Sequence, residues 1–149
     1  MSKIIIGVDP DAKAHGVAEY WDGELVNLRS MPLVFLYDML QNIRPKCDLE
    51  VHIEDVCANN AVFMKPKRSY SGKDLAEVKA RARTLGMCQQ SQIEIERICD
   101  HLGAKVVKHK ISKMWKKDKA QFEKVTGWSK RSNEDTRSAA YFGWIGTNS

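Results

Sequence analysis

The chain has 149 residues, 43% of them hydrophobic and 29% charged, with a formal net charge of +5. That length and balance predict one ordinary globular domain, residues 1–149, able to bury a core without disulfides or a structural metal. No apolar run approaches the roughly 18 residues needed to span a bilayer. Met1-Ser2-Lys3 leads directly into a short β-like run without the apolar core of a signal peptide, so a cytoplasmic location is expected.

Lys3 to Asp9 is a short, nearly continuous apolar run, as a buried central strand requires. Ala14 to Trp21 is a second strand, Asp22-Gly23 a two-residue hairpin turn, and Glu24 to Arg29 a third strand, antiparallel to the second. Pro32 suits a helix start, and Leu33, Leu36, Tyr37, Leu40 and Ile43 follow at helical spacing until Pro45. Leu49 to Val56 alternates apolar and polar residues as a fourth strand, and residues 58–72 read as a loop. A long helix is expected from about Lys73 to His101. Its first apolar stripe is Leu75, Val78, Ala82 and Leu85, and Gly103 stops it. Lys105 to His109 is a fifth strand. Ser112 to Val125 reads as a helix, and a last helix runs from near Asn133 to Gly143. The order β-β-β-α-β-α-β-α-α predicts an α/β domain without repeats or linkers.

Cys47, Cys57, Cys88 and Cys99 are scattered and form no C-x-x-C pair, so buried free thiols are expected rather than a zinc site or a disulfide framework. The basic residues are concentrated. Residues 65–83 carry a net +5 and residues 105–119 a net +6, leaving −6 on the rest. Two local basic surfaces on a slightly acidic body suit an extended polyanion; two solvated faces are the plainer alternative.

Three acids lie at the ends of predicted elements: Asp9 after the first strand, Glu54 near the end of the fourth, and Asp135 at the opening of the last helix. If strands one and four are neighbours, their C-terminal ends adjoin, which is where open α/β sheets keep their sites. Carboxylates held together repel one another unless a divalent cation neutralises them. Two cations so held activate a water and stabilise the leaving oxygen of a phosphodiester. Taken singly, Asp9 reads as a turn residue and Asp135 as a helix-start charge.

Ile6-Gly7-Val8-Asp9-Pro10 with the later Gly16, Val51 to Val56 around Glu54, the basic stretch Ala80 to Gly86, and Asn133 to Ala140 together resemble the motifs of RuvC-like Holliday junction resolvases. These are nucleases of the RNase H-like, retroviral-integrase-like superfamily. The resemblance spans roughly residues 3 to 145. It implies an RNase H-like mixed five-stranded sheet flanked by helices. It further implies a homodimeric crossover-junction endodeoxyribonuclease of DNA recombination and repair, which nicks opposed strands of a four-way junction using Mg²⁺, with Mn²⁺ able to substitute. Asp9 and Glu54 are the implied metal ligands. The last motif departs from the family pattern. Aligned on Ala139, Asp135 takes the first acidic position and Ser138 stands where the final Asp is usual. Asp135 is the first choice of ligand and Glu134 the second, the two together supplying the charge after a local shift being the alternative. Asp11, where a small residue is common, is read as a turn residue or an outer helper. Cys57 replaces an aromatic residue common after the Glu, leaving Phe63 or Tyr70 to stack on unpaired bases.

The expected phosphate contacts are Lys65, Lys67, Arg68, Lys73, Lys79, Arg81, Arg83, Lys113, Lys116 and Lys117. The long helix is the expected dimer surface. Two other readings are weighed beside junction resolution: a nuclease of this fold acting on other branched DNA or structured RNA, and a binding module whose site has degenerated at Ser138. An actin-like small-molecule kinase shares the G-x-D opening but needs phosphate loops that are not found. His15, His52, His101 and His109 make no metal set by spacing, and Trp115, Trp128 and Trp144 read as core or interface residues.

Overall fold

The computed structural model describes residues 2–43, 48–58 and 71–149. Five strands and four helices follow the expected order: β1 (Lys3–Asp9), β2 (His15–Trp21), β3 (Glu24–Met31), α1 (Leu33–Ile43), β4 (Asp48–Glu54), α2 (Gly72–Leu102), β5 (Lys105–His109), α3 (Lys119–Thr126) and α4 (Glu134–Thr147). A 3₁₀ turn, Val56–Ala58, follows β4. The strands form one mixed sheet in the order β3-β2-β1-β4-β5. β1 is antiparallel to β2 and parallel to β4, and β2 is antiparallel to β3. The β2–β3 connection is the expected tight turn, with positive φ at both Asp22 (48°) and Gly23 (88°).

Alternation along the strands divides the core in two. Ile4, Ile6 and Val8 of β1 and Leu49, Val51 and Ile53 of β4 face α1 and the C-terminal half of α2. Ile5, Ala18 and Tyr20 face α4 with Trp115 and Phe122. The period of two therefore puts Gly7 and Asp9 on the α4 side with Ile5, and His52 and Glu54 on that same side of β4. Val8 pairs with Ile53. The next residues, Asp9 and Glu54, end neighbouring parallel strands on one face.

α4 packs unusually close to that face because glycines line the contact. A Cβ on Gly7 would stand 2.0 Å from the Ala139 carbonyl oxygen and 2.7 Å from the Gly143 nitrogen. One on Gly16 would stand 2.2 Å from the Asp135 carbonyl oxygen. On the helix side, Gly143 lies against the Tyr20 ring and Gly146 against His52. The buried Tyr20 hydroxyl donates to the Ala140 carbonyl at 2.6 Å and fixes the helix in this seat.

Two helices differ from expectation. Residues 110–118 are not helical, and α3 starts only at Lys119 behind the Asp118 cap. Trp115 takes a left-handed conformation, φ 66°, which a right-handed helix cannot accommodate. Its carbonyl and that of Lys116 are taken up by Arg137, whose Nε donates to Trp115 O at 3.0 Å and whose Nη2 donates to Lys116 O at 2.6 Å. α4 continues a full turn beyond Gly143, because that glycine serves close packing and not termination. In α2, Gln92, Ile95, Cys99 and Leu102 are buried. Of the expected first stripe, Leu75 and Ala82 are exposed and Val78 and Leu85 half-buried. The helix thus covers the sheet with its second half only.

Of the cysteines, Cys99 is buried as expected, whereas Cys57 and Cys88 are half-buried; all three are free, and Cys47 lies outside the described residues. Among the described residues, no helix is long and apolar enough to cross a membrane. The glycine contact gives a direct test. Gly7→Ala should destabilise the protein by about 3 kcal/mol or more, because the methyl group meets helix backbone and not a movable side chain. Gly86→Ala, on an exposed helical face with open space around it, should instead stabilise by about 0.8–1 kcal/mol. Urea denaturation of the two variants measures both; equal effects would refute the packing argument.

Candidate active site

Asp9, Asp11, Glu54 and Asp135 line one cleft of about 550 Å³, together with Pro10, Val56, Lys116 and one flank of α2 that includes Arg81 and Cys88. Each acid arrives by a different local rule. Asp9 and Glu54 end adjacent parallel strands. Asp135 sits in the first turn of α4, which starts at a capping box where the Asn133 side chain accepts from Thr136 N–H. The first-turn backbone lies on Gly16, so the helix N-terminus is held over the strand ends. Asp11 comes from the β1–β2 turn, where its Oδ1 accepts the Ala12 N–H at 2.7 Å and its own N–H donates to His15 Nδ1 at 3.1 Å.

Asp9 and Glu54 are only 4% and 5% exposed. Burial, and then their mutual repulsion in the case of Glu54, raises their pKa values to about 6 and about 7. Asp135 is raised too, by burial and by the neighbouring Asp11 carboxyl, with which it shares a hydrogen bond. Asp9 Oδ2 is buried without a hydrogen-bond partner among the described residues.

The Lys116 ammonium lies 3.5 Å from that oxygen. Burial opposes its charge, but attraction to Asp9, Glu54 and Asp135 outweighs burial and holds its pKa above the ordinary lysine range. Ser138 is buried, and its hydroxyl points at Glu54 Oε2 at 3.5 Å. The position where an acid was missed in the sequence therefore presents a neutral donor to the cluster. No group of three or more His, Cys, Asp or Glu side chains among the described residues is arranged to hold a metal ion as it stands.

The structure gathers Asp9, Glu54 and Asp135. Glu134 is exposed, does not line the cleft, and pairs with Lys117 at 3.9 Å. Lys73, Lys79, Arg81 and Arg83 are exposed on the overhanging half of α2, Arg81 on the cleft wall; Lys113 and Lys117 are also exposed. Lys116 belongs to the carboxylate cluster, a placement its position within a lysine-rich run did not reveal. Asp11 was visible as a departure from the family pattern, and its contact with Asp135 needed the folded turn. Lys65, Lys67, Arg68, Phe63 and Tyr70 lie outside the described residues.

His101 is exposed, and the other histidines pack. His15 braces the β1–β2 turn, and His52 Nδ1 meets His109 Nε2 at 2.8 Å beneath α4. Trp115 is buried, in edge contact with Phe122 and Tyr141.

No protein-family model and no curated protein sequence matches the chain. Among solved structures, the chain is similar to RuvC of Thermus thermophilus in complex with a Holliday junction substrate. The identity is 11%, the TM-score 0.57, and the match covers 95% of this chain and 90% of that one. The fold is that of the RuvC resolvases. A second RuvC structure from Thermus thermophilus matches at TM-score 0.55 and 11% identity, over 95% of this chain and 91% of that one. With so few shared side chains, it is the arrangement of the elements that RuvC and this chain have in common.

The raised carboxyl values have a thermodynamic consequence. An acid whose pKa is higher folded than unfolded adds stability below its ordinary value, 3.8 for Asp9 and 4.5 for Glu54. That stability is lost as pH rises through about 6 and about 7, respectively. In EDTA at pH 8, Asp9→Asn should therefore be more stable than the wild type by on the order of 2 kcal/mol, or roughly 4–8 °C in Tm. At pH 5 the gap should shrink. Melting curves at the two pH values check this, and a gap that did not change with pH would contradict it.

Proposed function

We propose that this chain is a metal-dependent endonuclease that resolves four-way DNA junctions by paired nicks, with residues 1–149 forming a single nuclease domain. The observation that carries this reading is the cluster of buried Asp9 and Glu54, at the strand ends of a RuvC-type fold, with half-buried Asp135 of α4. A pure binding surface for phosphate gains nothing from buried carboxylates, which repel it.

The donor set fits a divalent cation. The acids offer hard oxygens of the kind Mg²⁺ and Mn²⁺ take, their raised pKa values record burial of the charged form, with repulsion from Asp9 added at Glu54, and Asp9 Oδ2 has no hydrogen bond among the described residues. Asp9, Glu54 and Asp135 would hold the ion, with Asp11 behind Asp135 and Glu134 at the rim. The chemistry such ions supply when bound is activation of water and stabilisation of the leaving oxygen. Ser138 orients Glu54 through its hydroxyl, and the half-burial of the cleft under α2 strengthens each electrostatic contact within it.

Substrate positioning falls to the basic surfaces. Arg81 lies on the cleft wall, with Lys73, Lys79 and Arg83 on the same overhanging helix. Lys113 and Lys117 neighbour Lys116 of the cleft wall in the segment before α3, and Lys65, Lys67 and Arg68 belong to the same basic stretch of sequence as the start of α2. Such contacts hold the phosphate backbone without reading bases. The unburied stripe of α2, with Leu75 45% and Met87 41% exposed, suits pairing with a second copy; a two-fold junction is matched by a two-fold dimer. Work in the cytoplasm follows from this reading.

The same fold admits two other readings. Cutting of branched DNA in general, or of structured RNA, uses the same site with a less selective surface. A binding module is favoured only by the neutral Ser138 within the cluster.

Cleavage of a labelled four-way junction in Mg²⁺, beside a fork, a flap and a linear duplex, separates these readings. Paired symmetric nicks confined to the junction are expected, and Asp9→Asn should slow them by about 100-fold or more. Equal cutting of forks and flaps would broaden the substrate class. Tight junction binding without cutting in Mg²⁺ or Mn²⁺ would remove the enzyme reading.

A further inference from the structure

Lys116 is held among the carboxylates by an unusual anchor. The residue before it, Trp115, has φ 66°, a conformation that costs roughly 1–2 kcal/mol for a side chain other than glycine. Its indole is 3% exposed and packs on Phe122, Tyr141 and Trp144, with ring centroids 5.4 to 5.7 Å apart. The carbonyls of this strained residue and of the next are pinned by one side chain, Arg137 of α4.

Arg137 is itself buried, at 9% exposure. Its Nε donates to Trp115 O at 3.0 Å and to Lys116 O at 3.2 Å, its Nη2 to Lys116 O at 2.6 Å, and its Nη1 to Ser132 Oγ at 3.0 Å. No carboxylate pairs with it among the described residues. Its planar fork is spent on main-chain carbonyls and a hydroxyl, a task that fixed geometry serves better than charge. It lies two residues from Asp135 on the same helix. The element that delivers an acid to the cleft therefore also delivers the loop bearing the cluster's ammonium.

We propose that Arg137 is a positioning residue. It sets the 115–116 turn so that the Lys116 ammonium occupies the carboxylate cluster as a built-in counter-ion, which a divalent cation must displace. This rests on reading the cluster as a cation site and is independent of the nucleic acid that the protein cuts. The ammonium stands 3.5 Å from Asp9 Oδ2, the buried oxygen that has no hydrogen bond among the described residues. Its single charge offsets part of the repulsion among the acids, so the empty site survives folding. A divalent cation entering the cluster meets like-charge repulsion from the ammonium until it displaces it, a cost of about tenfold in affinity, or about 1.4 kcal/mol. Lys116 therefore weakens cation binding, and Arg137 does so through Lys116.

The test measures Mn²⁺ binding to the metal-free full chain by electron paramagnetic resonance, without DNA. Lys116→Met should bind Mn²⁺ about tenfold more tightly than the wild type, for a repulsion of that size. Arg137→Gln should tighten binding in the same direction, and the double variant should bind no more tightly than Lys116→Met alone. Mass-spectrometric acetylation gives a second readout. In the absence of metal, Lys116 should be protected in the wild type, exposed in Arg137→Gln, and exposed in the wild type once Mn²⁺ is added. Arg137→Lys, which keeps the charge but not the fork, should fall between the two and serves if Arg137→Gln does not fold.

Unchanged Mn²⁺ affinity in the Arg137 variants, or an equal shift with and without Lys116, would overturn the proposal. So would a Lys116 amine labelled as readily in the wild type as in Arg137→Gln. If Mn²⁺ bound neither the wild type nor any variant, the cation-site reading would fall, and with it the counter-ion role. A failure to cut DNA would leave the outcome of these measurements unaffected.

Discussion

The closeness of α4 to the sheet is the constraint on which the rest of this structure depends. Gly7 and Gly16 on the strands, and Gly143 and Gly146 on the helix, remove the side chains that would hold the two layers apart. Packed sheets and helices meet through interdigitated side chains in most domains. Here main chain lies against main chain, and Tyr20 fixes the register by a buried hydrogen bond to Ala140. The first turn of α4 consequently rests over the ends of β1 and β4. An ordinary spacing would leave Asp135 and Ser138 short of Asp9 and Glu54.

Bringing those groups together is electrostatically unfavourable, and the protein offsets the cost in several ways. The strand-end acids are almost fully buried, and their raised pKa values show the strain. Lys116 adds one positive charge within the cluster, and Ser138 adds a hydroxyl in place of a further carboxylate. Fewer acids and an internal ammonium lower the repulsion that folding must overcome. The same ammonium would oppose the entry of any further cation. Arg137, reaching from the helix to the Trp115–Lys116 carbonyls, ties the two sides of that balance to one structural element.

α2 divides into halves with different surroundings. Its C-terminal half buries Ile95, Cys99 and Leu102 against the sheet, and buried Gln92 accepts the Cys57 N–H and donates to Asp55. Its N-terminal half carries basic residues beside the cleft and leaves apolar side chains in solvent. A helix of 31 residues is longer than the face it covers. The overhang places charge near the acids without joining the core.

The strands, their order along the chain and the placement of Asp9 and Glu54 at strand ends were legible in the sequence, because alternation with a period of two is a local property that survives into the fold. The start of α4 near Asn133 was legible as well, because helix starts carry local polar signals. The true limits of α3 and α4 were not. Gly143 has the look of a helix stop, yet it sits mid-helix because Tyr20 needs the space. Residues 112–118 have the composition of a helix, yet a buried arginine distant in sequence takes their carbonyls and Trp115 adopts a left-handed turn. Lys116 was one of seven lysines in its stretch until the fold set it beside Asp9. By itself the sequence determined which residues alternate, which turns are tight and which acids end strands. Only the tertiary structure decided which charges meet, since burial and long-range contact depend on side chains far apart along the chain.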